Sequence, residues 1–250
     1  MRHGSDAADT RRAVLQAILL CGGLGTRLRP VVSDRPKPLA DIHGKAFMEY
    51  VTDELRAQGI TELIFAAGYK GRMVEDYFGD GSRFGITARY AYEKEPLGTG
   101  GALRNALPLV HEEEVFVLNA DTFYRIDYLA LKRLLDAGKF SMALYTREVP
   151  DISRYGEVKR RGNRLLSWNE KSEEHRSGEI NGGIYLIRRA LIERIPEGKR
   201  SLENEEIPAW LAAGIGIGVK RSEGYFIDIG IPESYRQFCA DAEKGCFHGL

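Results

Sequence analysis

The stretch Leu15–Ala40, LQAILLCGGLGTRLRPVVSDRPKPLA, decides the reading of this chain. Its first six residues are apolar except for Gln16, and the run ends in glycines. A short, continuous apolar run bounded by glycine is the pattern of a strand covered on both faces. Directly after it stand Gly22, Gly23 and Gly25, then Thr26, Arg27 and Arg29, and then Lys37 between Pro36 and Pro38. Glycines let backbone N–H groups approach an anion, and the flanking prolines stiffen the backbone that aims the Lys37 ammonium. A permissive loop and three cations after a buried strand point to a polyphosphate.

Two familiar phosphate-binding patterns do not fit. A P-loop needs a second glycine five residues after its first, followed by Lys and then Ser or Thr, and counted from Gly22 that glycine position is Arg27. The dinucleotide fingerprint needs a third glycine where this chain has Leu28.

Outward from this stretch, strands and helices alternate. AFMEYVTDELRAQG places Phe47, Met48, Val51 and Leu55 on one helical stripe that stops at Gly59. TELIFAAG, ITARYAYE and EVFVLNAD read as strands; GRMVEDYFG, TGGALRNALPLV and YLALKRLLDAG read as helices. This alternation predicts a Rossmann-like α/β/α sandwich with a mostly parallel mixed sheet, and ligands at the carboxyl ends of its strands. After Ser141 the pattern turns to strands: FSMALYTRE, a hairpin around Gly162-Asn163, and INGGIYLIRR. SLENEEIPAWLAAG reads as a helix capped by Ser201, GYFIDIG as a last strand, and PESYRQFCADAEKG as a helix opened by Pro232. The expected organisation is an extension over 1–14 and one domain over 15–250. Residues 15–140 form its nucleotide-binding half and 141–250 its sugar-binding half.

Composition narrows the classes. Lys and Arg together number 36, as do Asp and Glu, so no global basic field marks a nucleic-acid binder. No apolar run reaches membrane-span length, and Asp6 and Asp9 spoil a secretory leader. Cys21, Cys239 and Cys246 lack metal-type spacing, and their odd number fits a reducing, cytoplasmic setting. Cys21 closes an apolar run and is expected in the core.

The opening stretch, taken with six motifs further along the chain, resembles the sugar-phosphate nucleotidyltransferases, which make nucleoside-diphosphate sugars. The resemblance runs from Gln16 to about Gly245. It continues through EKEPLGTGGAL (93–103), VLNADTF (117–123), RYGEV (154–158), NEK (169–171), NGGIYL (181–186) and YFIDIGIPE (225–233), in that family's order. NAD at 119–121 replaces the usual NGD and keeps the aspartate. Within the family the chain is most similar to short bacterial guanylyltransferases acting on D-glycero-α-D-manno-heptose 1-phosphate. It is less similar to mannose-1-phosphate guanylyltransferases and N-acetylmuramate-1-phosphate uridylyltransferases.

The resemblance implies that an NTP and a sugar 1-phosphate give an NDP-sugar and pyrophosphate, for cell-surface polysaccharide synthesis. It allows a homodimer. The attacking phosphate oxygen is already ionised at neutral pH, so no general base is needed. Positioning and cations carry the catalysis. Leu20, Gly22, Gly23, Gly25, Thr26, Glu93, Pro96, Gly98 and Thr99 are expected at the nucleotide. Arg27 is assigned to the β- and γ-phosphates, and Lys37 and Lys171 to the α-phosphate and sugar phosphate. Tyr155, Gly156, Glu170, Asn181, Gly182 and Gly183 are expected at the sugar. Asp121 and Asp228 both follow apolar runs, where an unpaired carboxylate is costly, and two carboxylates with phosphate and water oxygens suit Mg²⁺. Glu93 can accept both N1–H and N2–H₂ of guanine, which favours GTP; backbone groups of the same loop are the alternative reader. Two rival classes remain. A catalytically silent nucleotide-sugar sensor would be expected to lose Arg27, Lys37, Asp121 or Asp228, and a glycosyltransferase would be expected to carry a D-x-D motif.

Overall fold

The computed structural model describes residues 15–23, 25–153, 155–171 and 175–247, without the side chains of Glu170 and Lys171. The expected 1–14 extension lies outside the described residues. In chain order the elements are β1 (Leu15–Leu20), β2 (Asp41–Ile42), β3 (Lys45–Ala46), α1 (Phe47–Ala57), β4 (Ile60–Ala67), α2 (Gly71–Phe78), β5 (Thr87–Tyr92), α3 (Gly98–Ala106), β6 (Glu114–Asn119), β7 (Thr122–Tyr124) and α4 (Leu129–Gly138). There follow β8 (Met142–Val149), β9 (Gly156–Arg161), β10 (Arg164–Lys171), β11 (Gly178–Arg188), α5 (Arg189–Ile192), α6 (Ile207–Ala212), β12 (Ile217–Arg221), β13 (Phe226–Asp228) and α7 (Pro232–Glu243).

One nine-stranded mixed sheet runs in the order β5-β4-β1-β6-β11-β8-β12-β10-β9. Strand alternation divides β1 between two cores. Ala17 and Leu19 enter one apolar cluster and Ile18 the other, all three fully buried. α1, α4 and α7 cover the first face through Phe47, Met48, Val51, Leu55, Leu131, Leu135 and Phe238. α3 and α6 cover the second through Ala102, Leu103, Ala106, Ile207 and Trp210. The result is the expected α/β/α sandwich. Burying Ile18 or Leu19 of β1 stabilises the fold by roughly 1.5–3 kcal/mol each.

The sheet is parallel from β5 to β6 and antiparallel around β11. Leu20 of β1 sits opposite Asn119 of β6, so the glycine loop and Asp121 leave the sheet side by side. β11 runs the other way and brings Asn181–Gly183 to the same edge, since Ile184 pairs with Leu118. Asn181 pairs with Thr146 and Tyr185 with Leu144, four residues of β11 against two of β8. The extra residues form a bulge in which Gly183 takes φ +70°.

Two of the segments read from the sequence take another form, and β12 has no counterpart in that reading. GYFIDIG supplies only β13, which pairs with β7 in a separate two-stranded ribbon. SLENEEIPAWLAAG is not one regular helix: residues 202–206 form a wide π-turn, with α6 beginning at Ile207. Pro208 has no N–H to donate and crowds the carbonyl four residues back, which disfavours a continuous α-helix. Ser201 still caps the segment, accepting from the Asn204 N–H at 3.1 Å. Among the described residues, no helix is long and apolar enough to cross a membrane.

Candidate active site

At the carboxyl edge of the parallel strands lies a cavity of about 520 Å³. Leu20, Gly22, Gly23, Lys37, Glu93, Pro96, Gly98, Thr99 and Asp121 line it, together with Asn119, Asn181, Lys199 and Glu203. A second cavity of about 280 Å³ adjoins it, lined by Arg27, Tyr155, Gly156, Trp168, Asn169, Gly182, Gly183, Asn204, Phe226 and Asp228. Asn119, Asp121, Asn181 and Glu203 line both.

The first cavity is built from close backbone approaches. A Cβ on Gly22 would stand 2.6 Å from Glu93 Oε1, so only glycine leaves room for that carboxylate. Glu93 Oε2 accepts the Leu97 N–H at 3.0 Å and anchors the 96–101 loop. Burial raises the proton affinity of Glu93 above the usual carboxylate range. Gly98 takes φ +69°, and its Cβ would lie 2.5 Å from the Arg200 carbonyl oxygen. That carbonyl accepts the N–H groups of Gly100 at 2.9 Å and Gly101 at 3.2 Å, closing the loop against residues 198–202.

Lys37 and Asp121 form a close ion pair between the cavities, with side-chain exposures of 15% and 25%. The β7–β13 ribbon sets Asp228 opposite Thr122, and the Ile229 N–H donates to the Asp121 carbonyl at 2.9 Å. Asp228 Oδ1 accepts the Gly230 N–H at 2.6 Å. Burial and the neighbouring Asp121 charge raise its proton affinity; Gly230, Lys37 and Arg27 pull the other way. Two crowded carboxylates of this kind offer hard oxygen donors to a divalent cation, with phosphate and water oxygens completing the shell.

Several sequence expectations land elsewhere. Arg27 lines the second cavity rather than the first, beside Gly230. Thr26 is exposed, and Gly25, at φ +61°, packs its backbone against Lys37 Cγ; neither lines the two cavities. The backbones of Glu170 and Lys171 end β10, and their side chains lie outside the described part of the chain. Gly182 lines the second cavity, yet its missing Cβ makes way for Tyr124, at 2.9 Å, and the Tyr145 carbonyl, at 3.0 Å. Cys21 is 3% exposed, and burial first, then Asp121 and Glu93, push its thiol far above the usual range, as a core cysteine should be.

Sequence reasoning missed Asn119, Asn169 and Phe226, although all three lie inside the quoted motifs. It also missed Trp168, Lys199, Glu203 and Asn204. The last three come after α5, in a stretch whose only sequence signals are a helix cap and a proline.

A cleft at the switch from parallel to antiparallel strands, with two adjoining chambers, paired carboxylates and a lysine, defines a phosphate-handling α/β enzyme. The chain belongs to the nucleotidyl transferase family, whose model matches residues 16–245. It is 42% identical over 227 residues to the D-glycero-alpha-D-manno-heptose 1-phosphate guanylyltransferase of Campylobacter jejuni, covering 90% of this chain and 98% of that one. It is 39% identical over 224 residues to the protein of the same name from Aneurinibacillus thermoaerophilus, covering 89% and 96%. The crystal structure of HddC from Yersinia pseudotuberculosis complexed with GMP-PN superposes with a TM-score of 0.79 at 33% identity, covering 91% of this chain and 99% of that one.

Proposed function

We propose that the chain transfers a guanylyl group from GTP to D-glycero-α-D-manno-heptose 1-phosphate, giving GDP-heptose and pyrophosphate for surface-glycan assembly. The observation that carries this reading is the common wall of the two cavities. Asp121 faces both chambers and Lys37 holds Asp121, so an α-phosphate in the first chamber meets a sugar phosphate from the second beside one cation. The names of the relatives and the HddC complex supply the guanine and the heptose.

A phosphate oxygen of the sugar phosphate attacks the α-phosphorus. The new O–P bond forms as the bond to the β-phosphate oxygen breaks, and pyrophosphate leaves with that electron pair. No proton transfer is required. Lys37 neutralises charge at the reacting phosphates, and Arg27 stabilises phosphate from the second chamber. Lys171 supplies a further cation for the sugar phosphate. Asp121 and Asp228 would hold Mg²⁺, which when bound offsets the repulsion between the two polyanions. Gly22, Gly23, Gly98 and Thr99 shape the nucleotide chamber, with Glu93 accepting from guanine. Tyr155, Glu170 and Asn181 address the sugar hydroxyls.

The test is a matrix of GTP, ATP, UTP, CTP and dTTP against heptose, mannose, glucose and N-acetylmuramate 1-phosphates, read by pyrophosphate release. The GTP and heptose pair should show the highest kcat/KM. Preference for UTP would overturn the guanylyl assignment, and preference for another sugar would overturn the heptose.

A further inference from the structure

Glu203 lines both cavities, and no sequence motif marks it. The wide turn at 202–206 carries its carboxylate toward the cavities, while Glu206 faces away to pair with Arg200 at 2.8 Å. Its two oxygens have separate tasks. Oε2 accepts a close hydrogen bond from the Thr99 hydroxyl, in the first turn of α3. Oε1 accepts from the Tyr185 hydroxyl of β11 at 3.1 Å.

One branch ends at Thr99 in the first chamber and the other at Asn181, which lines both. Thr99 Oγ1 accepts the Leu202 N–H at 2.8 Å, which fixes the hydroxyl so that its proton points at Glu203. Tyr185 Oη accepts from Asn181 Nδ2 at 2.6 Å, so its own proton also points at Glu203. Asn181 Oδ1 accepts the Gly183 N–H at 2.9 Å, and the amide has one orientation. Tyr185 is fully buried, and burial with the Glu203 charge keeps its phenol protonated far beyond the usual range. Both hydroxyls therefore donate, and the carboxylate accepts at both ends.

We propose that Glu203 is a positioning residue that couples the two cavities: Thr99 orients the nucleotide loop, Asn181 orients the sugar pocket, and the carboxylate makes each depend on the other. The proposal rests on reading the first chamber as the nucleotide's and the second as the sugar phosphate's. A loop ordered by nucleotide holds Thr99 and hence Glu203, which holds Tyr185 and the Asn181 amide. Coupling of this kind is reciprocal, so the sugar phosphate tightens the nucleotide by the same factor. Tyr185 does not line either cavity, so its hydroxyl reaches the nucleotide only through Glu203 or Asn181, whereas Thr99 lines the first cavity alone, so an effect of its hydroxyl on the sugar phosphate travels by way of Glu203.

The experiment measures cross-effects. GTP binding is titrated calorimetrically on the native protein, Tyr185→Phe and Glu203→Gln, with no sugar phosphate present. Tyr185→Phe should weaken GTP by roughly 5-fold and Glu203→Gln by roughly 10-fold. In turnover, Thr99→Val should raise the KM for the sugar 1-phosphate by roughly 5-fold, and Thr99→Ser should restore it. GTP affinity unchanged in Tyr185→Phe, or a sugar KM unchanged in Thr99→Val, would overturn the coupling. If Tyr185→Phe does not fold, Glu203→Gln carries the same test: an unchanged GTP affinity refutes the proposal. A native protein that turns over GTP and heptose 1-phosphate without cross-effects refutes the relay and keeps the function. A native protein inert on that pair, yet with cross-effects on the NTP it binds, keeps the relay and refutes the function.

Discussion

The two chambers lie on one sheet edge but are made differently. The first lies at the ends of parallel strands, where Gly22 and Gly98 let Glu93 and the Arg200 backbone approach at positions a Cβ would fill. The second adds the side chains of Trp168 and Asn169 on an antiparallel strand, Phe226 on a short ribbon, and Tyr155 just before β9. Backbone walls present fixed N–H groups and suit phosphate, which every substrate pair shares. Side-chain walls can be exchanged without rebuilding the sheet, and suit the part of the reaction that varies, the sugar. Asp121 stands where the two constructions meet.

The strongest way to break this comparison is to remove a carboxylate at the junction. Asp121→Asn and Asp228→Asn should each lower kcat by on the order of 100-fold at saturating Mg²⁺, with far-ultraviolet circular dichroism unchanged. A variant with near-native turnover is not a metal ligand.

The backbone character of the first wall is tested by adding one methyl group. Gly98→Ala places Cβ 2.5 Å from a carbonyl oxygen at φ +69°, and should destabilise the fold by about 2 kcal/mol, lowering Tm by several degrees. Gly98→Ala with a native Tm would show that the loop yields freely.

Legibility in the sequence divides along the same line. β1 and α1 announce themselves because local pattern and final burial agree: the stripe Phe47, Met48, Val51, Leu55 is the face that packs. β12 is not legible because Gly216 and Gly218 break its strand pattern. Those glycines exist for Phe140, which would lie 3.2 Å and 2.8 Å from their Cβ atoms, a contact no local window contains. Asp121 and Asp228 are legible as residues, whereas their adjacency depends on the β7–β13 ribbon, between strands of three residues each. Glu203 is illegible because a π-turn aims it and Pro208 sits beyond that turn.

A finer test concerns which construction reads the base. Glu93→Gln should lower kcat/KM for GTP by roughly 10-fold and for UTP by less, because an amide meets the guanine donors with a donor of its own. Unchanged GTP preference would assign base reading to the 96–101 backbone, with Glu93 acting through its bond to Leu97. The smallest effect belongs to Gly23→Ala. Nothing lies within 4 Å of its Cβ position, so Tm should move by no more than about 1 °C. A larger fall would mean that the glycine loop is packed more tightly than its open surroundings imply.

The central claim is that a sugar phosphate in the second chamber attacks the α-phosphorus of a nucleotide in the first. Heptose 1-phosphate labelled with ¹⁸O at all its phosphate oxygens, incubated with GTP and Mg²⁺, tests this by mass spectrometry of both products. The account predicts that all of the label stays in GDP-heptose and none enters pyrophosphate. Label released from the sugar as phosphate would mean cleavage at the sugar carbon, and the absence of turnover would mean a sensor; either result contradicts the account.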